Sequence, residues 1–146
     1  MNLGSSFDIS ATGLRAERLR LDTIASNLAN ASTTRTPEGG PYRRRDVVLV
    51  SQALESDFAA TIEELSDRGV RQGVAVADVI EDASPPRMVF DPGHPDANRD
   101  GFVAYPNVNP VTEMVDLMTA TRAYEANVQA VNAAKRMADA ALSIGG

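Results

Sequence analysis

The sequence predicts an α+β protein in which long N- and C-terminal helices pair as a coiled coil, with a small β-rich domain between them. Three observations predict it. Both ends of the 146-residue chain carry apolar residues at seven-residue spacing. The second of these segments runs from Val111 to Ile144 without a Gly or a Pro. Between the two, the composition turns to short β-branched runs broken by Pro and Gly. The boundaries fall at residues 1–36 for the first helix and its connector, 37–109 for the middle and 110–146 for the last helix.

The N-terminal segment, Phe7 to about Ser32, places Phe7, Leu14, Leu21 and Leu28 on one row, with Ile24 and Ala31 on the adjoining one. Arg15, Glu17, Arg18, Arg20 and Asp22 flank that stripe, the pattern of an amphipathic helix. Gly13 costs about 1 kcal/mol against Ala, so the helix is expected to begin late or run irregularly there. Thr33 to Gly40 is turn chemistry and reads as a connector.

In the middle, Asp46–Val50 is a β-branched strand. Glu55 to Arg71 is acidic and reads either as a helix with Phe58, Ile62 and Leu65 on one face or as a loop. Gly73 to Asp82 alternates and predicts a strand, which Ser84-Pro85-Pro86 ends. Arg87–Phe90 resumes, Asp91-Pro92-Gly93 turns the chain, and Phe102–Tyr105 is the last strand.

Asn109-Pro110 opens the C-terminal helix as N-cap and first-turn proline. Glu113 and Asp116 stand near its positive end, Lys135 and Arg136 toward its negative end, and Gly145-Gly146 lie past it. At ~1.5 Å per residue it spans roughly 50 Å, too long for the core of one small globule. Leu117, Tyr124, Val131 and Ala138 form one seven-spaced row. Met114, Val128 and Leu142 form another, interrupted at Thr121 and Lys135. This is a narrow seam, thinned by alanines that let a neighbouring backbone come close. An ordinary long helix packed on its own domain has the same period, but burying the two terminal stripes against each other is the simplest arrangement. Asn27 and Asn30 lie beside the first stripe, Asn127 and Asn132 beside the last. Asn is a poor interior helix residue, so these four either fix the register between helices by hydrogen bonding or face solvent.

A net charge of −6 argues against nucleic acid as a partner, and Arg43–Arg45 read as a solvated strand edge. Without cysteine there is no disulfide or thiol chemistry. No apolar run is long enough for membrane insertion. The N-terminus lacks the basic and apolar regions of a cleavable signal, which leaves a cytoplasmic protein or one exported by a route that reads no such signal. His94 is the single histidine, no G-x-S-x-G occurs, and Gly39-Gly40 follows no strand. Catalytic residues, cofactors and transition-metal ligands are therefore not expected. The one motif with site chemistry is Asp96 to Gly101, which matches the start of a calcium loop, D-x-N-x-D-G. Its twelfth position is Asn107 where a bidentate Glu belongs, so a polar turn is the default and a calcium-binding module the alternative. A soluble coiled-coil adaptor is the other alternative.

Asp22 to Asn30 (Asp-Thr-Ile-Ala-Ser-Asn-Leu-Ala-Asn) resembles the N-terminal signature of the bacterial flagellar rod and hook family. Thr33 to Arg43, Asp91 to Asp96, Pro106 to Asn109 and Ala120 to Asn127 extend the resemblance to both ends and the second half of the middle. Val50 to about Val70 has no counterpart. The resemblance implies a structural subunit of the basal-body rod, its terminal helices forming an inner domain and its β-rich middle facing outward. The implied partners are copies of itself, neighbouring rod proteins, the membrane-ring base of the rod and, in transit, the type III export apparatus. It also implies a periplasmic location reached unfolded, without a cleaved signal. The two helical stripes then become the core of the assembly.

Overall fold

The computed structural model describes residues 3–53 and 72–144. The elements are α1 (Leu3–Ala29), β1 (Arg45–Ala53), β2 (Gln72–Glu81), β3 (Arg87–Phe90), β4 (Phe102–Tyr105) and α2 (Pro110–Ile144). The class is α+β, as the sequence predicts; the expected readings of Glu55 to Arg71 lie outside the described residues. By compactness the chain forms two units. Of the described residues, 3–18, 49–53, 72–77 and 121–144 make the first; 19–48 and 78–120 make the second.

α1 runs through Gly13 without a break, where an irregular or late start is expected. The reason is local. A Cβ at residue 13 would stand 3.2 Å from the side-chain nitrogen of Asn127, so the glycine is where α2 comes close. α1 stops at Ala29 because Asn30 satisfies the end of the helix: its side-chain amide donates to the Ser26 carbonyl at 2.9 Å, and its oxygen accepts from Thr33 at 3.1 Å. The connector then closes on itself, with Tyr42 N–H donating to the Thr33 carbonyl at 3.0 Å. Tyr42 is thereby returned to the end of α1.

The strands form two separate two-stranded sheets, β1 with β2 and β3 with β4. The second is antiparallel, with Arg87 opposite Tyr105, Val89 opposite Val103 and Phe90 opposite Phe102. Its loop ends at Gly101, where φ is +80° and an added Cβ would stand 2.8 Å from the Phe90 ring, so a side chain is excluded. α2 starts as its sequence dictates. Asn109 accepts the Val111 N–H on its side chain at 3.0 Å, and Pro110 occupies the first turn. The core of the second unit is small: Ile24, Val103, Pro106, Val108 and Ala120 are buried, together with the polar Asn27 and Glu113.

Candidate functional site

The buried polar group in that core is a closed network. Asn27 is 0% exposed, and its amide uses its full hydrogen-bonding capacity. It donates to the Arg45 carbonyl at 2.8 Å and to Glu113 Oε2 at 3.1 Å. It accepts from the Arg45 N–H at 2.9 Å and from the Tyr42 hydroxyl at 3.0 Å. The other Glu113 oxygen, Oε1, receives Arg44 Nε at 2.7 Å. α1, the connector, the start of β1 and the first turn of α2 are thus held by four side chains and the Arg45 backbone. The carboxylate sits in the first turn of α2, where free N–H groups favour a negative charge.

The charge pair is enclosed: the Arg44 side chain is 24% exposed and that of Glu113 1%. Burial pulls the Arg44 guanidinium down. The hydrogen bond and charge of Glu113, then the charge of Asp46, outweigh it and hold Arg44 above the ordinary arginine range. Arg44 is therefore no solvated strand edge, in contrast to the expectation for Arg43–Arg45; Arg43 and Arg45 do remain exposed. A pair buried this well contributes less through its own attraction than through the cost of breaking it, about 3–5 kcal/mol when one partner is removed. It specifies an arrangement.

The other sequence-predicted residues fall into distinct environments. Asn27 is the hub, Asn30 caps α1, the Asn127 side chain lies against Gly13, and Asn132 is exposed. Along α2 the buried positions are Glu113, Ala120 and Ala134, with half-buried Asn127 completing a seven-residue row. On α1 they are Ala16, Ile24 and Asn27. The larger residues Phe7, Leu14, Leu21 and Leu28 on α1, and Leu117, Tyr124, Val128, Val131 and Ala138 on α2, are half-buried. Met114 and Leu142 are 49% and 77% exposed. Tyr42, Arg44, Arg45 and Glu113 are the network residues that sequence reasoning missed as a group. Only the position of Glu113 at the helix start carried a signal.

The calcium reading does not stand. Asp96 Oδ2 accepts from the Thr34 hydroxyl at 2.8 Å, and Asn98 Oδ1 accepts the backbone N–H groups of Asp100 and Phe102, each at 2.9 Å. Asp96 and Asn98 are thus spent on the connector and on the loop's own fold, and Asp100 is left facing solvent. Among the described residues no group of three or more acidic, His or Cys side chains could hold a metal, and no helix is long and apolar enough to cross a membrane.

Comparison with known proteins agrees at both ends. Residues 7–35 match the family of flagella basal body rod proteins, and residues 99–144 match the C-terminal region of flagellar basal body rod FlgEFG proteins. Both helices therefore carry the mark of the rod class. Within it, the chain is 45% identical over 149 residues to the flagellar basal-body rod protein FlgC of Borreliella burgdorferi, covering 99% of this chain and 98% of the relative. It is 47% identical to FlgC of Bacillus subtilis, with 96% of each covered, and 43% identical to FlgC of an Escherichia coli strain, with 99% of each covered. The chain belongs to the FlgC family of flagellar basal-body rod proteins. It is a structural rod subunit, and its place is the flagellar basal body; neither a calcium module nor a soluble adaptor fits that membership.

Proposed function

We propose that the chain is one upright strut of the proximal rod. α1 and α2 pair as a coiled coil and stack helically with copies of the chain and with neighbouring rod proteins. They carry torque from the membrane-ring base and line the export channel. The observation that carries this reading is the spacing of two contacts. Asn27 meets Glu113 in the second unit, and Gly13 meets Asn127 in the first. The two pairs lie fourteen residues apart on each helix, in opposite directions, which is two heptads. Phe7, Leu14, Leu21, Ile24 and Leu28, with Met114, Leu117, Tyr124, Val128, Val131, Ala138 and Leu142, form the assembly core around that line. Asn27 and Asn127 set the register, while Asn30 ends α1 and Asn132 faces solvent. The subunit travels unfolded through the type III apparatus to the periplasmic rod, without a cleaved signal.

Folding is then seeded at the polar network and completed by polymerisation. Away from the network the helices meet through small residues, and a single narrow stripe does not offset the entropy of ordering two long segments. Amide hydrogen exchange on the isolated protein is expected to protect Thr23–Ala29 and Glu113–Ala120. Residues 8–15 and 125–140 should exchange fast and become protected only in assembled rods. Equal protection of both regions in the monomer rules out folding on assembly. Leu28→Asp or Val131→Asp should abolish motility; normal rods from either variant remove these positions from the core.

A further inference from the structure

Over its first two turns α2 is packed on one side and carries an exposed apolar stripe on the other. The buried row of Glu113 and Ala120 faces α1. Val111, Met114, Val115 and Met118, at the i, i+3, i+4, i+7 spacing of one helix face, are 69%, 49%, 50% and 55% exposed. From Arg122 onward the same outer face is polar, with Arg122, Gln129 and Arg136 all exposed. The β3–β4 hairpin is apolar on both faces. Val103 is fully buried on the inner one, while on the outer one Met88 and Phe90 are 52% and 64% exposed and Phe102 is 39% exposed. The Phe90 and Phe102 rings pack edge to face at 5.3 Å, a preformed apolar knob. An exposed apolar face on a strand pair or helix whose other face is already packed is built to be covered.

We propose that these two faces are the halves of one joint between copies: the Met88–Phe90–Phe102 face of one subunit seats on the Val111–Met118 stripe of the next. The proposal rests on the reading of the chain as a rod subunit. Two different patches joined head to tail leave a free patch at each end, so copies can be added in series as an open filament requires, and methionines adapt their shape to a partner ring. Charge fixes the direction. Asp100 stands beside the knob, and Arg122 is the first charge beyond the stripe. Both are exposed, and neither side chain has a hydrogen-bond or ion-pair partner among the described residues. Seating the knob toward Met118 brings these two together across the joint.

The chain has no cysteine, so cross-linking reads the joint directly. Full-length chains carrying Met88→Cys, Met114→Cys or both are expressed as the sole copy in motile cells, and basal bodies are isolated and oxidised. The double variant should give a ladder of multimers, and each single variant none. A single variant that cross-links means like patches meet, and no ladder from the double variant means another protein covers these faces; either result overturns the joint. Absence of the chain from basal bodies would instead overturn the rod reading. Asp100→Arg and Arg122→Asp should each reduce the ladder severalfold and restore it when combined. Failure of the combination to restore it overturns the assigned direction.

Discussion

The helices meet in different ways in the two units. In the second unit the contact is polar and saturated: an amide with four hydrogen bonds, and a carboxylate held by an amide and a guanidinium. In the first it is made by absence, a glycine opposite an asparagine side chain with alanines on the same rows. The polar contact has one geometry in which every group is satisfied, so it selects a register. The small-residue contact tolerates sliding and gains little on its own. One sets the alignment, and the other permits the approach.

The strongest way to break the comparison is at the hub. Asn27→Ala leaves the Arg45 N–H and carbonyl, the Tyr42 hydroxyl and Glu113 Oε2 each short of a partner. At about 1–3 kcal/mol for a buried group left unsatisfied, and less for the three part-buried ones, a loss of about 3–4 kcal/mol is expected. Urea unfolding followed by tyrosine fluorescence reads it, since Tyr42 is in the network. An intermediate effect is expected at Gly13. Gly13→Leu forces the helices apart, at about 1–3 kcal/mol, and should lower the melting temperature of assembled rods while leaving the urea midpoint of the network region in place. Gly13→Ala should be nearly neutral, because its helix propensity gain of about 1 kcal/mol opposes the 3.2 Å contact.

The smallest effect concerns pH. The side chain and backbone of Ser84 hold the Asp82 carboxylate below the usual aspartate range, with the Arg44 charge adding to it. The folded chain therefore binds fewer protons there than the unfolded one. Asp82 contributes its stability in full above the ordinary aspartate range, and the contribution is lost as pH falls through the lowered value. A comparison of wild type with Ser84→Ala should show melting temperatures that differ at neutral pH and converge in acid.

Helix existence and type were legible in the sequence, as were all four described strands, because each rests on local signals: the Asn109-Pro110 start, the alanine-rich run and the alternating valines. The phase of the seam was less legible. The stripe of Leu117, Tyr124 and Val131 and the row of Glu113, Ala120, Asn127 and Ala134 share one period, and periodicity gives spacing without saying which row is nearest the partner. Hydrophobic size points to the first, whereas close approach selects the second. The network was not legible for another reason. Arg44 and Glu113 are 69 residues apart, and Asn27 and Glu113 are 86 apart, so no local pattern links them.

That separation has a consequence for timing. A polypeptide delivered from its first residue presents Asn27 long before Glu113, so the amide finds its carboxylate only when about three-quarters of the chain is available. Until then the early helix has no lock to enter. The clasp closes last, which makes completion of the chain the event that commits it to shape.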